Sequence, residues 1–121
     1  MMGKAALALL ILAAPAAASA MTVAEFLAKA DALQAKGVGA LFSSDLKLLK
    51  TEVTSAGKAL RAEQAAAIKA GRKPSACLPE KAATNSNELL AHFRAIPPAQ
   101  RGISVKDGFA GLIRKKYPCP A

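Results

Sequence analysis

The sequence predicts an all-α fold, a small four-helix bundle with one disulfide (Cys77–Cys119). Three observations predict it: apolar residues recur at helical spacing in four segments, a helix-capping residue begins each segment, and the chain holds two cysteines. Alternation of apolar and polar residues over the length of a strand is absent, and so is an internal repeat. We therefore expect helices joined by short loops around one core.

The opening of the chain has the pattern of a secretory signal peptide. Lys4 supplies a positive charge, Ala5 to Ala14 is apolar, and Ala18-Ser19-Ala20 resembles a cleavage site. The apolar run is shorter than the roughly 20 residues of a membrane-spanning helix.

Residues 1–20 are therefore predicted to be a signal peptide, and residues 21–121 a single all-helical domain in the periplasm without an integral membrane span. The alternative is a start at Met21, which would leave the product in the cytosol.

The first helix is predicted over residues 23–36. Thr22 and Glu25 form a capping-box pattern, and Gly37 suits the position just after a helix end. The apolar positions that would face the core are Val23, Phe26, Leu27, Ala30 and Leu33.

The second helix is predicted over about residues 45–70. Ser43, Ser44 and Asp45 are all suitable N-caps, and Gly71 and Pro74 end the helix. Its apolar stripe consists of Leu46, Leu49, Val53, Ala56 and Leu60.

Two shorter helices follow. Asn85 with Glu88 begins a helix over about residues 86–95, which Pro97-Pro98 ends. Ser104 with Asp107 begins the fourth helix, which closes at Tyr117-Pro118. The inward positions are Leu89, Leu90 and Phe93 on the third helix, and Val105, Phe109, Leu112 and Ile113 on the fourth.

The two cysteines predict a bridge because an even number in an exported chain is typical of a disulfide, and only one intramolecular pairing exists. The short PPAQRG connection should make helices three and four antiparallel, which brings Cys77 and Cys119 to the same end of that hairpin. A zinc site needs more ligands than the one histidine, His92, can complete, and a redox CxxC motif is absent.

Neither a catalytic set nor a cofactor motif emerges from the sequence. His92 lies on a helix beside Phe93, where a surface or packing role is the ordinary one, and the eight carboxylates are scattered. We therefore predict that the protein is not an enzyme and binds no cofactor or metal.

The charge is strongly basic: the net +9 of the whole chain becomes +8 when Lys4 is removed with the signal peptide. Basic residues gather at the ends of helices two and four, namely Lys58, Arg61, Lys69, Arg72, Lys73, Lys115 and Lys116. This placement favours helix dipoles and solubility, and it would also attract an acidic surface. A nucleic-acid partner is not expected, because the chain is exported and lacks aromatic stacking positions.

The second half resembles the Rap/Tai family of small exported immunity proteins that are paired with type VI secretion amidase effectors. The resemblance covers about 45 residues, from Cys77 to Ala121. It is carried by Cys77-Leu78-Pro79, Glu88-Leu89-Leu90, Phe93, Ile96-Pro97-Pro98-Ala99-Gln100-Arg101 and Lys116-Tyr117-Pro118-Cys119. Between Ala30 and Ala70 the chain lacks the cysteines and tyrosine that members carry in their earlier helices.

The resemblance implies a periplasmic all-helical protein that blocks a cell-wall amidase effector by inserting a surface loop into its cleft. Members are often dimeric, which leaves a homodimer open. The loops available are residues 71–85 and 96–104. Gln100 and Arg101 in the second loop are the candidate contacts, although the same residues would also suit a simple helix-joining turn.

Two other functions remain open. A periplasmic stress or chaperone-like protein would expose hydrophobic surface in acid. An envelope-associated basic protein would sediment with cell-wall material in a salt-sensitive manner.

Overall fold

The structure, a computed structural model, describes residues 20–120 and confirms the all-α fold. The helices are α1 (Val23–Lys36), α2 (Ser44–Lys69), α3 (Ser86–Ala95) and α4 (Val105–Lys116). Short 3₁₀ turns occupy Gly37–Phe42, between α1 and α2, and Pro98–Gln100, between α3 and α4. The predicted signal peptide lies outside the described residues except for Ala20. None of the described helices is long and apolar enough to cross a membrane.

Each helix begins at the cap that the sequence predicts. Thr22 and Glu25 form a complete capping box on α1, and Ser43 caps α2 by accepting from the amide of Asp45. Asn85 and Ser104 accept from amides in the first turns of α3 and α4. Since these caps are local, the helix starts agree with the sequence to within one residue.

The core lies where α4 packs against α2, α1 and α3. Phe93, Val23 and Val105 are its most completely buried large side chains. The rings of Phe26 and Phe93 meet edge to face with their centroids 5.3 Å apart, a favourable aromatic geometry. The core therefore joins both halves of the chain into one unit.

The start of α1 is fastened to the connection between α3 and α4. The amide of Val23 donates to the carbonyl of Ile103 at 2.9 Å, and the amide of Val105 donates to the carbonyl of Met21 at 2.9 Å. Thr22 and Ser104 form an isolated antiparallel bridge at this point. These bonds satisfy amides in the first turns of two helices, which would otherwise lack partners.

Gly108 allows this close packing. A Cβ atom at position 108 would lie 2.7 Å from Cγ2 of Val23 and 3.0 Å from Cε1 of Phe93. Both of those side chains are fully buried, so neither can turn into solvent to make room. Only glycine lets α4 approach α1 and α3 so closely.

The disulfide between Cys77 and Cys119 is present, with the two Cα atoms 4.9 Å apart. The amide of Cys77 also donates to the carbonyl of Tyr117 at 2.9 Å. The bridge pins the segment after α4 to the loop that leads into α3, as the antiparallel arrangement of these helices predicts.

The long loop between α2 and α3 is held by α2 and by the end of α4. Gln64 of α2 exchanges two hydrogen bonds with the backbone of Leu78, at 2.7 and 3.2 Å. Arg61 donates to the carbonyls of Pro79 and Glu80 at 2.8 and 3.1 Å. The hydroxyl of Tyr117 accepts from the amide of Ala83 at 3.1 Å. This loop is exposed but fixed in place.

Candidate functional site

A groove of about 650 Å³ runs between α3 and α4 on the outside of their hairpin. Gly108 and Gly111 of α4 line it, together with residues of the connection between the two helices. Its polar lining residues are His92, Gln100, Asp107, Arg114 and Lys115. The fold therefore brings one of the two predicted contact residues, Gln100, into a group with three basic side chains.

His92 packs against α4 at Gly111, where α4 has no side chain. A Cβ atom at Gly111 would lie 3.2 Å from the imidazole Nε2, so the absent side chain leaves room for the ring. The imidazole is half-buried between the helices. The sequence predicts a surface or packing role for His92. The structure places its ring partly in the contact between α3 and α4 and partly at the surface.

Three causes lower the pKa of His92 below its ordinary value of 6.5. Burial is the largest, followed by the positive charge of Lys115, and Arg114 adds a smaller effect, while a hydrogen bond to the backbone of Gly108 works in the opposite direction. His92 is therefore neutral at pH 7. A negative group entering the groove would reverse the repulsion and favour the charged imidazolium.

Arg114 and Lys115 make the groove electropositive. Both are exposed, and neither takes part in an ion pair within residues 20–120. Lys116, the next residue, points away and pairs with Glu88 at 2.8 Å. Asp107 is the one carboxylate that lines this groove. The local balance therefore favours a partner with carboxylate or other anionic groups.

The two predicted contacts have different surroundings. Gln100 is exposed at the rim of the groove. The guanidinium of Arg101 donates to the carbonyls of Ile96 and Arg94, at 2.8 and 2.9 Å, and so caps the C-terminal end of α3. The carbonyl of Arg101 also accepts from the amide of Ala24 at 2.9 Å. Arg101 thus has a clear structural task, and its contact with a partner stays a prediction.

A second surface lies at the other connection of the bundle. The 3₁₀ turn Gly37–Phe42 exposes three large apolar side chains, Val38, Leu41 and Phe42. The sequence identified this stretch only as a linker. The signal that could have singled it out is a phenylalanine within a glycine-containing connection, in a chain with only four phenylalanines.

Metal-ligand clusters are absent from the part of the chain that the structure describes: no three or more His, Cys, Asp or Glu residues come together there. Both cysteines are consumed by the disulfide. His92 has Arg114 and Lys115 as neighbours, a set that suits an anion better than a cation.

Together the fold and the groove define a small disulfide-bridged helical protein with a basic recess on a pinned helical hairpin. Comparison of the chain with models of protein families, with curated proteins and with solved structures finds no match.

Proposed function

We propose that the protein is an exported inhibitor that binds a partner enzyme and occludes its cleft, in the manner of the type VI secretion immunity proteins that its second half resembles. The partner in this proposal is a cell-wall amidase effector. The observation that carries it is the basic groove beside Gln100, on a hairpin that the disulfide and backbone hydrogen bonds hold rigid.

Rigidity suits inhibition by occlusion. The connection between α3 and α4 contains Pro97, Pro98 and a 3₁₀ turn, and Arg101 fixes its start by binding the carbonyls of Arg94 and Ile96. A loop that is ordered before binding loses little conformational entropy in the complex. The connection would therefore enter the cleft already folded, with Arg101 holding its conformation through the two hydrogen bonds to the end of α3.

Charge would orient the complex. Arg114 and Lys115 are unpaired in the described residues and would meet an acidic rim on the partner. His92 adds a pH-sensitive contact, because a carboxylate beside it raises its pKa in the complex above that of the free protein. Binding then takes up a proton, so affinity should rise as the pH falls through the raised pKa of His92 in the complex and level off below the lowered pKa of the free protein.

The test begins with oxidised protein, residues 21–121, used to capture partners from envelope extract at low and moderate salt. A captured hydrolase is then purified, and its activity on peptidoglycan is titrated with the protein. We expect inhibition at a fixed stoichiometry. Anionic polymer alone, lost as salt rises, would sink the inhibitor proposal.

Two charge variants locate the contact. Arg114→Ala with Lys115→Ala should weaken inhibition at least about tenfold, because two charge-assisted contacts are lost. Lys58→Ala with Lys69→Ala removes the same charge from α2 and should leave inhibition within about twofold, since these charges lie outside the proposed contact. Equal losses in both variants would show that only the overall charge matters.

His92→Gln gives the pH test. The variant should retain inhibition at pH 7.5 and lose the rise in affinity toward pH 6 that the wild-type protein shows. An unchanged pH profile would remove His92 from the contact without affecting the assignment of Arg114 and Lys115.

A further inference from the structure

The 3₁₀ turn Gly37–Phe42, hereafter the apolar tip, exposes more large apolar surface than any other described segment. Val38, Leu41 and Phe42 are 76%, 69% and 87% exposed. The other three phenylalanines, Phe26, Phe93 and Phe109, are all in the core. Exposure of a contiguous apolar group on a small protein marks a surface that contacts something else.

The fold does not need these side chains. Gly37 reverses the chain after α1 with a φ of 58°, a backbone conformation that glycine adopts readily. The amide of Ser43 donates to the carbonyl of Ala40 at 3.0 Å, and Ser43 then caps α2. Backbone bonds thus shape the connection, while its apolar side chains point to solvent.

Unpaired lysines surround the apolar tip in the sequence. Lys36 directly precedes it, and Lys47 and Lys50 lie in the first two turns of α2. All three are exposed, and none is in an ion pair within residues 20–120.

Two of the three carboxylates near the apolar tip are in ion pairs. Asp45 pairs with Lys29 at 3.6 Å, and Asp31 pairs with Arg94 at 2.8 Å. Glu52, farther along α2, is in no ion pair within residues 20–120 and offsets one of the three unpaired lysines. The net charge around the apolar tip is therefore positive.

We propose that the apolar tip is an interfacial anchor that inserts Val38, Leu41 and Phe42 into the surface of an anionic lipid bilayer. The flanking lysines bind the headgroup phosphates. Peripheral membrane binding commonly needs two signals, one apolar and one basic, and both are present here within fifteen residues, 36–50.

A bilayer fits this surface better than a second copy of the chain. The apolar tip is only six residues long, so two tips would bury far less than the roughly 800 Å² per partner of a stable protein interface. Two copies would also bring their unpaired lysines together. A fluid bilayer needs no complementary pocket, and anionic lipids attract the same lysines.

Phe42→Trp provides a direct reporter, because the chain has no tryptophan. Oxidised protein of residues 21–121 is mixed with vesicles of phosphatidylcholine and phosphatidylglycerol. We expect a blue shift of the emission and quenching by brominated lipid. Ile68→Trp is the control: Ile68 is 59% exposed but lies ~36 Å away along α2, so its emission should not change.

Sedimentation with the same vesicles measures affinity. Leu41→Ser with Phe42→Ser should weaken binding at least tenfold, and Ile68→Ser should not change it. Lys36→Gln and Lys47→Gln should each weaken binding about fivefold, whereas Lys81→Gln, an exposed lysine in the tied loop, should have a smaller effect.

Three results would overturn the proposal. The first is an absence of binding to anionic vesicles. The second is equal binding by the Leu41→Ser/Phe42→Ser protein. The third is a dimer in light scattering that this double variant converts to a monomer, which would identify the apolar tip as an interface between two copies.

Discussion

The two helix connections of the bundle are built in opposite ways. The connection between α3 and α4 is short and fixed: Arg101 binds the carbonyls of Arg94 and Ile96 at the end of α3, and the carbonyl of Ile103 accepts from the first amide of α1. The connection between α1 and α2 instead presents Leu41 and Phe42 to solvent. The connection between α3 and α4 uses Arg101 to stabilise the fold, whereas the connection between α1 and α2 leaves its large apolar side chains exposed to solvent.

The difference lies in what each connection contributes to stability. Changes to the buried residues around α3 and α4 should affect unfolding, whereas changes in Gly37–Phe42 should leave the fold intact and affect only the proposed contact with a bilayer. The three predictions below test this separation, from the largest expected effect to the smallest.

Removing the disulfide should have the largest effect on stability. The bridge closes a loop of 42 positions, for which the chain-entropy account gives about 4 kcal/mol. Cys77→Ala with Cys119→Ala should lower the free energy of unfolding by about that amount in urea titrations. Adding reductant should destabilise the wild-type protein similarly and leave the double variant unchanged. A loss below about 1 kcal/mol would mean that hydrogen bonds alone hold this end.

Two phenylalanines offer the sharpest contrast. Phe93 is 0% exposed and packs against Phe26, so Phe93→Ala should cost at least about 3 kcal/mol through lost burial and a cavity. Phe42 is 87% exposed, so Phe42→Ala should change stability by less than about 0.5 kcal/mol. Urea denaturation followed by circular dichroism measures both. Comparable losses would show that the apolar tip packs onto the bundle.

Two helical glycines should respond with opposite signs. Gly108→Ala places a methyl group against Val23 and Phe93 and should destabilise the protein by about 2 kcal/mol. Gly57→Ala meets only Phe109, at 3.9 Å, and should stabilise α2 by up to about 1 kcal/mol through helix propensity. Thermal unfolding of the two variants measures the contrast. If Gly108→Ala were neutral, the close approach of α4 would not depend on glycine.

The sequence predicts the helices well because their signals are local. Thr22, Ser43, Asn85 and Ser104 each cap a helix within three residues of themselves, and these starts are confirmed. The disulfide follows from counting, since two cysteines allow one intramolecular pair. The ends of α1 and α3 are likewise determined by local residues, Gly37 after α1 and Pro97 after α3.

The groove and the apolar tip could not be predicted in the same way. Whether Phe42 is covered depends on what packs over a connection, which periodicity does not encode. His92 and Arg114 come together only because Gly108 and Gly111 let α3 and α4 approach. The capping of α3 by Arg101 is a contact across a turn with no fixed sequence pattern. Tertiary packing decides each of these features.

The disulfide also divides the peptide bonds of the chain into those inside the ring that it closes and those outside it. Residues 77–119 form a closed ring, and the segment that contains Gly37–Phe42 hangs outside it. A protease cut inside the ring leaves both pieces joined until the cystine is reduced, whereas a cut beside Phe42 leaves no covalent bond between α1 and the rest of the chain. Because Leu41 and Phe42 are exposed, a chymotrypsin-like enzyme should cleave the chain beside them, outside the ring. The proposed contact of the apolar tip with a bilayer would therefore also protect the one connection whose cleavage the disulfide cannot compensate.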